Sequence, residues 1–174
     1  MFRIVFLLLA LMDVAHAQIL KRDELQEQIV PESFTLTGTA SASKIGNSFW
    51  RTSVNYAIVN KTGINLYLGF LQDGISFGSC GNAERVQGGL PLLPSPSAMA
   101  YSSSNGGGAP RGVFVPASGR IAGMIILDNC GTPNPGFPTA PLALTLMLGK
   151  AGDFSKMVTL PIDAEIPVRQ LPND

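Results

Sequence analysis

Imidazole is almost missing from this chain of 174 residues: the single histidine is His16, in an N-terminal segment that reads as cleaved. A mature chain without histidine lacks the usual general base, the usual proton shuttle and the commonest zinc ligand. Ser-His-Asp and Cys-His catalysis are excluded, as are His-based metal sites. Charge is scarce too, at 14% of residues, with twelve basic and twelve acidic side chains. No basic stripe exists to meet phosphates, so nucleic acid is not an expected partner. Of the two cysteines, Cys80 and Cys130, neither belongs to a C-x-x-C pair, and no third or fourth thiol is present to hold a metal. Gly106-Gly107-Gly108 lacks the Lys-Ser/Thr that a phosphate-binding loop needs. No cofactor is expected.

What is present begins with Met1–Met12, one positive charge followed by an apolar run too short to span a bilayer. Ala15-His16-Ala17 then gives a small-x-small pattern before Gln18. Residues 1–17 read as a secretory signal peptide, so the mature protein is expected to be periplasmic or secreted and not integral to a membrane. Without Arg3 and Asp13, eleven charges of each sign remain. Residues 18–32 hold six of these and form a charged leader or short helix, with Leu25 and Ile29 four apart. Residues 33–174 are the size of one domain. In an exported chain the cysteine pair predicts a Cys80–Cys130 disulfide. Closing a loop of about fifty residues contributes roughly 4 kcal/mol in the chain-entropy model.

The cleanest periodic signal lies at Trp50–Leu71. Trp50, Thr52, Val54, Tyr56 and Ile58 alternate with polar or small residues, and Ile64, Leu66, Leu68 and Phe70 repeat the pattern. Paired as a hairpin with its turn at Lys61-Thr62-Gly63, the two even faces match. Ile58 then stands opposite Leu66, Tyr56 opposite Leu68 and Val54 opposite Phe70, with Gly63 at positive φ. Asn60-Lys61-Thr62 is an N-glycosylation acceptor pattern that would sit on that turn. Further strands are expected at Phe34–Ser41, Ile75–Cys80, Ala83–Gln87, Gly112–Pro116, Arg120–Leu127, Leu142–Leu148 and Met157–Val168. Pro161 and Pro167 imply that the last of these is exposed at an edge. About seven short strands with turn signals between them predict an all-β antiparallel sandwich, Ig-like in general architecture.

Function is expected from contact and not from turnover. Residues 81–111 form a long Pro/Gly-rich insertion, and loops carried on a rigid sandwich are where binding concentrates. Leu90, Pro91, Leu92, Leu93, Pro94, Tyr101 and Arg111 are the candidate contact residues. The expected partner is a protein of a bacterial envelope or surface assembly, with carbohydrate as the other possibility. Two alternatives stand beside it. One is inhibition of an exported hydrolase through the stiff Gly88–Ser97 loop. The other is a glycoside hydrolase using two of Asp73, Glu84, Asp128, Asp153, Asp163 and Glu165. Asp73, Asp128 and Asn129 lack the dense oxygen spacing of a calcium loop. Protein from its native compartment is expected to begin at Gln18 and to resist alkylation until reduced; intact mass before and after reductant checks both.

Overall fold

The computed structural model describes residues 29–45, 49–78, 80, 83–93, 112–130, 138–150 and 153–171. The chain divides into two units, Met1–Val30 and Pro31–Asp174, and the fold set out below is that of the second. After a single 3-10 turn at Pro31–Ser33 come nine strands among the described residues. They are β1 (Phe34–Ile45), β2 (Phe49–Asn60), β3 (Leu66–Phe77), β4 (Ala83–Gln87) and β5 (Leu92–Leu93), then β6 (Val113–Val115), β7 (Arg120–Cys130), β8 (Thr139–Lys150) and β9 (Asp153–Gln170).

The class is all-β, but the topology differs from the expected pair of antiparallel sheets. One continuous sheet runs β4-β7-β2-β1-β9-β8-β3-β5, with β6 on β3, and curls until its ends approach. Two layers result, and β9 belongs to both. Its first fifteen residues pair antiparallel with β8, and its last three run parallel to β1 at Ala40–Ala42. The β3–β5 pairing is parallel as well. β4 and β6 lie where short strands were expected, β5 is an addition to the expected set, and Ile75–Phe77 continues β3 in place of forming a strand of its own.

The expected hairpin does not form. β2 pairs with β1 and β7, whereas β3 pairs with β8, β5 and β6. Residues 61–65 therefore carry the chain from one layer to the other. The face-matching argument identified the right side chains and the wrong geometry. Val54, Tyr56, Ile58, Leu66, Leu68 and Phe70 are all buried, on strands of different layers and not along one ladder. The Tyr56 and Phe70 rings make an edge-to-face contact at 5.1 Å and 71°. A two-sided apolar match is satisfied equally by pairing side by side or by stacking layers, and stacking buries both faces completely.

Asn60 decides between the two. Its side chain is fully buried. Nδ2 donates to Ile64 O and Pro116 O, both at 3.0 Å, and Oδ1 accepts from the Thr62 amide at 3.0 Å and from the Thr62 hydroxyl. The backbone joins in: Asn60 N–H donates to Gly119 O and Lys61 N–H to Ser33 O, both at 2.8 Å. An arch crossing between layers would bury unpaired backbone groups, and one amide side chain satisfies four of its donors and acceptors. Two expectations fall with the hairpin. Gly63 is not among the positive-φ glycines, which are Gly78, Gly88 and Gly89. Asn60, placed on an accessible turn by the sequence reading, is instead inaccessible to a glycosylating enzyme once the domain has folded.

Other expectations shift in detail. Asp73-Gly74, read as a turn, is a bulge inside β3, where the register against β8 slips between Phe70 and Ile75. A Cβ on Gly74 would lie 2.4 Å from that of Thr145, so the bulge requires glycine there. β9 is not an edge strand, since it lies between β8 and β1 in the sheet, but β1 pairs with its last three residues alone, so Pro161 and Pro167 have no ladder partner on their other side. Val168 N–H donates to Pro138 O, so the even residues of β9 face β8. Pro161 and Pro167 are odd, and their missing N–H groups cost the ladder nothing. In β8, Leu142, Leu144, Leu146 and Leu148 fill the core. Met147, on the other face, is buried too, in a small cluster with Leu93 and Leu71.

Replacing Asn60 with alanine leaves the Thr62 amide unpaired and strips one bond each from the Thr62 hydroxyl and the Ile64 and Pro116 carbonyls, which keep other partners, and is expected to destabilise the domain by about 1–3 kcal/mol. Urea denaturation of N60A beside N65A checks this, since the Asn65 amide oxygen makes a single exposed bond, to Ala117 N–H.

Candidate functional site

Tyr56 organises the region where the first layer meets the loop after β4. In the ladder it stands between two glycines, Gly38 on β1 and Gly123 on β7. A Cβ on Gly123 would come within 2.8 Å of the Tyr56 hydroxyl oxygen. That oxygen accepts a 2.9 Å hydrogen bond from Leu90 N–H. Gly88 and Gly89, both at positive φ of 62° and 64°, turn the chain so that Leu90 reaches it. A side chain on Gly89 would collide with Tyr56 and with Ala122 O. The turn thus carries the chain from β4 in the first layer to β5 in the second, where Pro91 O accepts from Phe70 N–H at 2.8 Å.

Much of the expected contact loop is consequently structural. Leu90 is fully buried and Leu93 nearly so, while Pro91 and Leu92 are half-buried. Pro94, Tyr101 and Arg111 lie outside the described residues. Tyr67 lies against the exposed ring of Phe114 at 5.6 Å. The acids do not converge on the groove described next. Asp163 and Glu165 share the exposed side of β9, and Asp73 lies in the β3 bulge. Asp128 is held by Arg51 in a two-bond ion pair, with both contacts at 2.7 Å. The side chains of Glu84 and Asp153 are not among those described.

The concave surface sits elsewhere, on the outer face of β1, β2 and β7. Register places the outward residues in cross-strand rows: Thr35–Val59–Arg120, Thr37–Ala57–Ala122, Thr39–Asn55–Met124–Gln87 and Ser41–Ser53–Ile126–Arg85. A groove of about 840 Å³ lies over the middle rows, lined among others by Thr37, Thr39, Asn55, Gln87, Arg120 and Ala122. A second hollow of about 350 Å³ continues it toward β9, sharing Thr39 and Asn55 and ending at Arg169. Alanine at positions 57 and 122 makes the depression, and the threonines, Asn55 and Gln87 form its polar lining. This lining offers hydroxyls, amides and guanidinium groups, and neither hollow is lined by a carboxylate, thiol or imidazole. It can hold a ligand by hydrogen bonds and charge.

The sequence reading missed this surface. Its trace was the hydroxyl run Thr35-x-Thr37-x-Thr39-x-Ser41-x-Ser43, which was used only as evidence for a strand. Nothing in β1 says that the facing positions of β2 and β7 would be alanine, and their juxtaposition needs the register.

Fold and site together define an all-β domain with a shallow groove on one outer face, its floor of small and apolar residues and its polar groups those of Thr37, Thr39, Asn55, Gln87 and Arg120. No protein-family model matches the chain, and no curated protein does so. Solved structures of β domains resemble it distantly. The copper-bound PCuAC domain from PmoF2 is 14% identical, with 80% of this chain and 94% of that one covered, at a TM-score of 0.43. The CooA pilin subunit from enterotoxigenic Escherichia coli is 10% identical over 77% of this chain and 98% of that one, at 0.29. ACE19, the collagen-binding subdomain of Enterococcus faecalis surface protein ACE, is 9% identical over 75% and 95%, at 0.27. At these values none of them transfers a role to a residue of this chain. No helix among the described residues is long and apolar enough to cross a membrane.

Burial pushes the Tyr56 phenol up to about 12, opposed by the bond from the Leu90 amide. The folded protein therefore holds this proton more tightly than the unfolded chain, whose tyrosines titrate near 10. Stability from this group is complete below about pH 10 and is lost as pH rises toward 12. Tyr56→Phe is expected to cost about 1–3 kcal/mol at neutral pH, by leaving Leu90 N–H unpaired, and to flatten the alkaline decline. Urea melts at pH 7, 10 and 11.5 separate the two effects.

Proposed function

We propose that this protein is an exported, non-catalytic β domain that works by binding, as a component of a bacterial envelope or surface assembly. The groove on the outer face of β1, β2 and β7 is its contact surface. The observation that carries this reading is the character of that face: concave, floored by alanine, glycine and Met124, bordered by threonine, amide and arginine side chains, and lined by no carboxylate. The signal-peptide pattern at residues 1–17 supports export. The loop beyond Leu93, containing Pro94, Tyr101 and Arg111, is a second contact region in this reading. Inhibition of a hydrolase by Gly88–Ser97 gains no support from the buried Leu90 and Leu93, which tie that segment into the sheet. The copper of the PmoF2 domain is not carried over, since no group of three or more His, Cys, Asp or Glu gathers among the described residues.

The Cys80–Cys130 disulfide belongs to the same proposal. Cys80 is buried, its sulfur 3.8 Å from the Thr52 hydroxyl. Cys130 is the register partner of Trp50, two residues along β2 from Thr52. Both cysteines therefore attach at the same end of β2, and no described cysteine is a free thiol.

Filling the groove tests the contact surface. Ala122→Trp replaces an exposed methyl on the groove floor, and its effect on folding stability should stay within roughly 0.5 kcal/mol. Retention of the mature protein on envelope preparations, measured by co-sedimentation, is expected to fall at least tenfold in A122W while the urea midpoint is unchanged. Undiminished retention would place the contact surface elsewhere.

A further inference from the structure

The proposed contact surface carries a charge pattern that narrows its ligand. Three arginines border the outer face of the first layer: Arg85 on β4, Arg120 on β7 and Arg169 on β9. All three are exposed and none has an ion pair among the described residues. The acid that shares the face, Asp128, is already neutralised by Arg51. A protein with no net charge thus presents a cationic groove. The exposed described acids are Glu32 in the turn before β1, Asp73 on β3, and Asp163 and Glu165 on β9, and none of them lines either hollow, although Glu165 lies two residues before Pro167 of the second.

Placement follows from register. Arg120 stands in the row of Thr35, and Arg169 pairs with Ser41 six residues further along β1. With strands about 4.8 Å apart and a rise of about 3.3 Å per residue, the two Cα positions are on the order of 25 Å apart. The two hollows join them, meeting at Thr39 and Asn55. A groove with a cation at each end and a neutral middle fits a linear molecule that carries spaced negative charges.

The middle decides which kind. Thr37, Thr39, Asn55 and Gln87 offer groups that both donate and accept, which is the pattern sugar hydroxyls complement. The floor of the groove is the face of β2, which is paired along its length to β1 and β7, so a peptide lying across it finds no free edge for its backbone there. A neutral glycan would need an exposed aromatic ring to stack on. The Tyr56 ring is turned into the core against Phe70, so charge must supply the attraction.

Resting on the contact reading above, we infer that the groove between Arg120 and Arg169 binds a linear, carboxylate-bearing polysaccharide. Polygalacturonate is the probe, with dextran as the uncharged control and polyglutamate as the acidic peptide. The mature protein is expected to bind polygalacturonate in 20 mM salt, to release it in 500 mM salt and to ignore dextran. R120Q/R169Q should weaken binding by about tenfold or more, a loss of about 1.4 kcal/mol, with its thermal melt unchanged. R85Q, beyond the groove, should change it less than threefold.

Four results would overturn the inference: no binding of polygalacturonate, equal binding of dextran, an unaffected double variant, or polyglutamate bound as tightly. Salt-sensitive self-association that R120Q/R169Q abolishes, in the absence of any polygalacturonate binding, would assign the face to a second copy and likewise overturn it. If A122W loses retention on envelopes while the wild type ignores polygalacturonate, the contact reading survives and the glycan assignment fails.

Discussion

The buried amide of Asn60 is the joint on which this architecture turns. Two consecutive apolar strands can lie side by side or face each other, and the second choice requires the connecting chain to cross the edge of the core. That crossing is tolerable only if its polar backbone groups find partners away from water. Asn60 supplies them, and in doing so binds together the ends of β2 and β3 and the residues at Pro116 and Thr62. Once β2 and β3 occupy different layers, β1 and β7 are free to flank the one and β8 the other. The single continuous sheet follows from that separation.

The groove is a consequence of the same arrangement. A strand buried on one side has its other side left for solvent, and β1, β2 and β7 use that side for hydroxyl, amide and methyl groups in place of long side chains. The inward row explains part of this economy. Tyr56 needs glycine at position 123 beside it, and its hydroxyl holds the turn after β4 in place. The turn in turn brings Gln87 and Gly88 to the rim of the groove. Core packing and the contact surface are therefore two sides of one ladder.

Absence of histidine frames the chemistry more than any motif does. A domain without imidazole can still bind sugars, peptides or a second protein, because recognition needs donors, acceptors, charge and shape, none of which depends on a group titrating near neutrality. The arginines serve here as permanent charges. Low overall charge makes each unpaired one more conspicuous, since little opposing charge lies nearby to screen it.

The sequence by itself determined the all-β class, most strand positions, the inward residues of each strand and the tolerance of β9 for its two prolines. These are local properties: alternation with a period of two, β-branched content, and proline at positions whose N–H faces away from a neighbour. It also determined the buried set that includes Val54, Tyr56, Ile58, Leu66, Leu68 and Phe70. Tertiary structure alone decided that these residues meet across two layers, that Leu90 and Leu93 belong to the core, and that Ala57 and Ala122 lie side by side under a groove. Period-two patterning records which side of a strand is apolar and nothing of which strand comes to lie beside it; that information resides in the joint satisfaction of distant backbone groups, as at Asn60, and forms only when the whole sheet does.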